Sequence, residues 1–327
     1  VISLILALAI PGTAAGGWLH RGSCEIKQDP GVEPLGPLNV CVKGSVGTWF
    51  VHKSNTYDQV QPSVMHHAAG DIAIFITPWV SVGASGHSSI YVERDTSRVL
   101  GKDTARDELF VQLGNNALSR HRLTAGRGKP LYRLDHQLRR EFFYAWNLSN
   151  FEPPEVDYVT YVYDNQLDLT LSTTYGQLRD PTVEGEKKVF GSARLMYDFA
   201  ALEGTRLVVG GYQDGLLRRA VSLGMINING RSEQTSVELT RQFTRQPFNP
   251  GDFRQNFRLA YLSSEQDHFQ YRFQYDDFFR FIRVGGVGVI YRPLSLFFIE
   301  MDVGFAKHED NPKRSHWYFA SSGGLRL

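Results

Sequence analysis

Apolar and polar residues alternate along most of this chain in stretches of roughly ten, separated by clusters of turn-forming residues. The clearest stretch is His268–Asp276, where Phe269, Tyr271, Phe273 and Tyr275 oppose Gln270, Arg272, Gln274 and Asp276. Gln166–Tyr175 sets Leu167, Leu169 and Leu171 against Asp168, Thr170 and Ser172. Phe253–Tyr261 sets Phe253, Phe257, Leu259 and Tyr261 against Arg254, Asn256 and Arg258. The last stretch places Trp317, Phe319, Leu325 and Leu327 on one parity, and Tyr318, Ala320, Ser322, Gly324 and Arg326 on the other. Side chains of a strand point alternately to its two faces, so each stretch has one apolar and one polar side.

A soluble β-sandwich would turn the apolar face inward; a membrane barrel turns it out to lipid and the polar face toward water. Four aromatics on one face and four polar groups on the other favour the second arrangement. The pattern therefore predicts an all-β fold, a closed antiparallel transmembrane β-barrel. Counting back from Leu327 gives about 16 strands beginning near Gly70, with 14 and 18 as open alternatives. Turns are expected at Asp164-Asn165, Asp214-Gly215, Asp276-Asp277 and Arg292-Pro293, and longer polar segments at 176–188, 246–252 and 307–314. An even strand count puts both termini on the periplasmic side of an outer membrane. In Leu217–Met225, Arg219 shares the parity of Val221, Leu223 and Met225, which calls for a bulge or an interfacial position.

Upstream of the repetitive region the pattern changes. Residues 1–15 are an apolar run ending in small residues, read as the remnant of a signal peptide. Residues 16–69 read as an irregular N-terminal extension or plug, with one candidate strand at Asn39–His52, and 70–327 as the barrel. Whether the 16–69 section is a periplasmic extension, a plug or a first barrel strand stays open. Its two cysteines, Cys24 and Cys41, flank a Pro/Gly-rich loop. In an exported chain one structural disulfide between them is the economical expectation.

Composition agrees with a barrel without demanding one. Aromatics reach 13%, Gly numbers 31 and charged residues make up 21%. The net charge of +1 gives the whole molecule no electrostatic case for nucleic acid. Charge is concentrated locally instead. Between Ser119 and Arg140 lie Arg120, Arg122, Arg127, Lys129, Arg133, Arg139 and Arg140, against the single acid Asp135. Lining the lumen, such a cluster would form a constriction that favours anions; on a solvated loop it would bind lipid phosphates or distant acids. Other residues expected to face inward are Asp168, Arg194, Glu238, Arg254, Arg258, Arg272, Glu300 and Asp302. They could form opposed charged walls or salt bridges that fill a narrow barrel.

Enzymatic chemistry finds little support. No spacing singles out a Ser–His pair around His268 or His316, and His66-His67 with Asp71 lacks an evident third metal ligand. The Gly285–Val289 run has no helix after it and reads as a closely packed strand rather than a phosphate loop. Neither catalytic residues, nor a metal site, nor a cofactor is expected.

The segment Leu109–Pro130 resembles a hairpin of Gram-negative porins, in which a strand ending Leu-Gly is followed by Leu-Thr-x-Gly-Arg and then Pro. The matching positions are Leu113 and Gly114, then Leu123, Thr124, Gly126, Arg127 and Pro130. The resemblance implies an outer-membrane channel, a trimeric homo-oligomer, and a place for Arg127 on the basic side of the pore eyelet. The chain departs from the commonest porin ending in closing on Leu327 rather than Phe. The expected function is passive diffusion of small hydrophilic solutes across a Gram-negative outer membrane, with anion preference. The alternative is a plugged structural or assembly barrel, partnered in an envelope complex.

Overall fold

The computed structural model describes residues 39–53, 64–77, 79–92, 99–114, 119–130, 132–134, 153–178, 189–215, 218–229, 233–244, 255–279, 282–294, 296–309 and 311–326. Its strands are β1 (Asn39–Lys53), β2 (Val64–Thr77), β3 (Val80–Val92), β4 (Val99–Leu113) and β5 (His121–Gly128). They continue with β6 (Val156–Asp164), β7 (Leu169–Leu178), β8 (Val189–Asp198), β9 (Thr205–Asp214), β10 (Arg218–Asn229) and β11 (Glu233–Thr244). The last are β12 (Gln255–Leu262), β13 (Phe269–Phe278), β14 (Ile282–Leu294), β15 (Phe297–His308) and β16 (His316–Arg326). Each pairs antiparallel with its sequence neighbours, and β1 pairs with β16 to close one barrel of 16 strands. Fourteen of the 16 strands run 9 to 15 residues, the length that lets a tilted strand cross a bilayer, and β5 and β12 have 8. Among the described residues no helix is long and apolar enough to do so.

The strand count expected from the sequence is met, but its starting point is not. The barrel begins at Asn39 rather than near Gly70, and the expected boundary at 69/70 falls inside β2. Thus 39–53 and 64–69 are wall: of the three readings left open for 16–69, a first barrel strand holds where the candidate strand Asn39–His52 was expected, and β2 begins before the expected boundary. β1 is held by its neighbours, with Gly47 opposite both Gly324 and His67. Residues 1–38, with the expected signal-peptide remnant and Cys24, lie outside the described residues, and so does the expected Cys24–Cys41 bridge. Two expected turns also move. Asp276 and Asp277 lie within β13, and Arg292 and Pro293 within β14. The turns at Asp164-Asn165 and Asp214-Gly215 are where the sequence put them.

The two ends of the barrel differ. One carries both strand termini and tight connections such as 78–79, 165–168 and 295–296. The other carries the longer ones: 54–63, 179–188, 245–254 and above all 129–155 between β5 and β6. In barrels of this kind the short turns are periplasmic and the long loops extracellular.

Burial follows the alternation. Along β15, Phe297, Ile299, Met301 and Val303 are exposed, while Phe298, Glu300, Asp302, Gly304, Ala306 and His308 are buried. Neighbouring strands align Phe273, Val287, Val303 and Phe319 into a continuous apolar row on the outside. Leu223 similarly lies between Val209 and Leu239. Soluble monomers seldom expose apolar patches beyond a few hundred Å², so a band of this kind calls for lipid. Aromatics flank it at both ends. Tyr163, Tyr197, Phe269 and Tyr291 lie toward the short turns, and Tyr175, Phe243, Tyr275, Phe305 and Trp317 toward the long loops. Amphipathic rings suit the two membrane–water interfaces. Arg219 lies outward near the loop end of β10, paired with Gln213 and Phe243, which is the interfacial position its parity called for.

Candidate functional site: the barrel interior

The interior is built from two unlike walls. On β8 to β10 the inward residues Phe190, Met196, Val208, Gly210, Tyr212, Ala220, Gly224 and Ile226 form an apolar patch among inward polar residues such as Arg194, Asp214 and Ser222. An apolar patch inside a water-filled barrel needs cover, and the connection between β5 and β6 supplies it. Its residues Tyr132, Arg133 and Leu134 are buried inside the barrel, each 1–2% exposed.

Tyr132 packs edge-on against Tyr212 with ring centroids 4.8 Å apart, and Tyr212 stacks on Phe190 at 5.8 Å. Val156, Tyr158, Leu178 and Ala220 complete that cluster. Further down the wall Leu134 enters a second cluster with Val208 and Ile226, edged by Met196 and Ile228. Two glycines make the approach possible. A Cβ at Gly210 would overlap the Tyr132 carbonyl oxygen, and one at Gly224 would overlap the Leu134 side chain. One polar contact fixes the depth. The Leu134 backbone N–H donates to Glu238 Oε1 at 3.1 Å, Ser222 Oγ donates to the same oxygen at 2.8 Å, and Thr240 Oγ1 donates to Ser222 at 3.3 Å. Glu238 on β11 is 1% exposed, so its charge is stabilised by these donors rather than by bulk water.

The opposite wall, β12 to β16, carries paired charges between buried apolar residues such as Phe278, Ile290 and Phe298. Arg258 grips Asp276 through Nε–Oδ1 at 2.7 Å and a second bond at 3.3 Å, and Asn256 also donates to Asp276. Arg272 on β13 reaches across β14 to Asp302 on β15, with Nε–Oδ1 at 2.8 Å and a second, shorter bond to Oδ2. It also lies 3.5 Å from Glu300, which accepts from Ser322 at 3.4 Å. The bridge crosses above Gly288, where a Cβ would overlap the Asp302 carboxylate and lie 2.9 Å from Arg272 Nε. The Gly-rich stretch of β14 thus leaves room for an ion pair. Buried charges of opposite sign with several hydrogen bonds each form a stiff wall.

The basic cluster expected from the sequence is dispersed by this arrangement. Arg133 lies inside, on the inserted segment. Arg122 faces inward from β5, 3.9 Å from Asp164. Arg120 is exposed in the short turn before β5, and Lys129 is exposed just beyond its other end. Arg127 faces outward, contrary to the eyelet role implied for it, and donates to Asp157 at 2.7 Å on the outer surface. The reason is parity: Leu123 and Arg127 are four residues apart on one strand, hence on one face. Arg139, Arg140 and Arg254 lie outside the described residues.

Of the expected inward charges, Glu238, Arg258, Arg272, Glu300 and Asp302 are buried on the inner wall, and Arg194 is half-buried on the inner face of β8. Asp168 belongs instead to the β6–β7 turn, accepting from Asn165 Nδ2 at 2.7 Å. Of the two arrangements left open for these charges, the described contacts are salt bridges along one wall. Sequence reasoning put Asp276 on a polar face and at a turn without counting it among the inward charges, and passed over Ser222, Gly210 and Gly224. Their shared inward parity with identified neighbours was the available signal.

Comparison with known proteins agrees with this architecture. No protein-family model and no curated protein matches the chain. Among solved structures it is similar to OccK1 (OpdK) of Pseudomonas aeruginosa, at TM-score 0.58 and 12% identity, covering 89% of this chain and 100% of that one. A loop-deletion mutant of OmpT, an outer membrane protein of Vibrio cholerae, matches at TM-score 0.57 and 12% identity, over 88% and 99% of the two chains. A mutant of the Rhodopseudomonas blastica porin matches at TM-score 0.57 and 12% identity, over 88% and 100%. Coverage of 88–89% of this chain at such low identity is a likeness of fold, and the chain has a porin-like outer-membrane β-barrel fold.

Proposed function

We propose that the protein is an outer-membrane channel for passive diffusion of small hydrophilic solutes in a Gram-negative envelope. The observation that carries this reading is the inserted segment 132–134, held inside a closed barrel whose outside is apolar. A segment anchored to one wall narrows the passage without needing to seal it. Its position against β8 to β10 leaves the charged wall of β12 to β16 as the other side of the path. Anion preference belongs to the same proposal, and it rests on Arg133 and Arg122, because Arg127 points to the outside. Assembly into a homotrimer is part of it too, supported by the similarity to the trimer form of Vibrio cholerae OmpT at TM-score 0.57 and 10% identity.

Liposome swelling tests the channel. Vesicles containing the protein should swell in sugars at rates that fall as the sugar grows, and failure to swell in the smallest sugar would overturn the reading. Reversal potentials under a salt gradient test the preference, and a cation-selective potential would remove it while leaving the channel standing.

A plugged assembly barrel is favoured by one observation: Asp276, Glu300 and Asp302 are at most 2% exposed, as expected for a filled interior. Residues 39–53 and 64–69 supply wall, so a plug search by deletion must stop at residue 38. Swelling that arises only after removal of 16–38 would establish the plug.

A further inference from the structure

Toward the long-loop end, the outer apolar band gives way to a belt of polar outward residues. Arg127 is paired with Asp157 at 2.7 Å, and Arg283 with Asp277 at 3.2 Å and Glu309 at 2.9 Å. Lys307 on β15 departs from this rule, having no acidic partner among the described residues, and β10 and β11 carry two adjacent cations that depart from it together, Arg219 and Arg241. Both are exposed on the outer face, and neither has an acidic partner among the described residues.

Their placement is set by register. Arg219 on β10 lies opposite Phe243 on β11, and Val221 opposite Arg241, so the two arginines are diagonal neighbours on one face. Diagonal pairs in an antiparallel sheet are about 7–8 Å apart at Cα, within reach of a shared ligand for side chains this long. The Arg241 guanidinium lies 5.1 Å from the centre of the Phe243 ring, which steadies it against the barrel surface. Below them Val221, Leu223 and Leu239 belong to the lipid-facing band. Two cations without an acidic partner among the described residues, at the edge of a hydrocarbon band and beside an interfacial aromatic, match a lipid headgroup bearing phosphate. The acyl chains would lie along the apolar band below, and each guanidinium can donate to phosphate oxygens in its planar fork.

We propose that Arg219 and Arg241, steadied by Phe243, form a binding site for the phosphate of an anionic lipid in the leaflet at the long-loop end. The site rests on the membrane-barrel reading, but it does not require an open pore.

The full chain, folded in detergent micelles, is examined by native mass spectrometry with phosphatidylglycerol or phosphatidylcholine added. The wild type should retain phosphatidylglycerol preferentially. The Arg219→Gln/Arg241→Gln variant should bind it roughly 10- to 30-fold more weakly, and each single variant should fall between. Arg127→Gln, whose arginine already has an acid partner, should leave retention unchanged. Three results would overturn the site: no preference in the wild type, equal retention by the double variant, or release of the lipid by millimolar inorganic phosphate. Heat-modifiable gel migration of the same samples separates the two claims, since its absence from the wild type would sink the membrane barrel itself.

Discussion

Replacing Glu238 with alanine should loosen the inserted segment from its wall. The carboxylate accepts the Leu134 backbone N–H and the Ser222 hydroxyl, and all of these groups are buried. A hydrogen bond to a charged group contributes about 1.5–3 kcal/mol, so the undocked population should rise roughly 10- to 150-fold. The inserted segment carries its own reporter. Arg133 is a trypsin site only 2% exposed when docked, and cleavage after a transiently exposed residue follows the population of the open form when reclosing is fast. Peptide mapping of folded protein under limiting trypsin should therefore show faster cleavage after Arg133 in Glu238→Ala by that factor. Gly224→Ala gives an independent route to the same state, because its Cβ would overlap the Leu134 side chain. Cleavage after Arg133 at the wild-type rate in both variants would refute the idea that Glu238 and Gly224 seat the segment.

Other perturbations follow from the two faces of the wall. Arg272→Ala leaves Asp302 and Glu300 buried without their cation and should cost about 3–5 kcal/mol in urea unfolding from micelles; replacing both Arg272 and Asp302 by apolar residues should cost less. Gly288→Ala should break the same bridge sterically, so its effect and that of Arg272→Ala should fail to add. On the outside, Val303→Arg near the middle of the apolar row should cost about 2–4 kcal/mol in barrel stability, and an equal stability to wild type would argue against lipid contact there. Arg127→Gln should leave ion selectivity unchanged while Arg133→Gln shifts it toward cations; the reverse pattern in reversal potentials would restore Arg127 to the pore.

The sequence disclosed those parts of the fold that depend on local alternation. β13, β15 and β16 keep a strict period of two, and their inward and outward residues follow from it. β1 read as a candidate strand, Asn39–His52, but its NVCVKGSVGTWFVHK run mixes Lys43, Gly44 and Gly47 with the apolar residues, so its membership of the barrel stayed open. Its place is fixed by pairing with β2 and β16, which no local pattern records. Arg127 is the opposite case: its parity with Leu123 was readable, and a motif resemblance outweighed it. The inserted segment was half legible for a third reason. Tyr132-Arg133-Leu134 sits in a basic stretch whose charge fits a lumen constriction or a solvated loop equally, and what draws it inside is a complementary wall more than 70 residues later, roughly the spacing from Leu134 to Gly210 and beyond. Complementarity across that distance becomes visible only when the barrel closes.

Planar-bilayer recording of the purified, folded protein bears most directly on whether this closed barrel with its inserted segment is a channel. Discrete conductance steps should appear with the full chain, and Gly224→Ala should change their size by displacing Leu134 from the wall. A membrane that stays silent despite verified insertion of the folded barrel would contradict the channel.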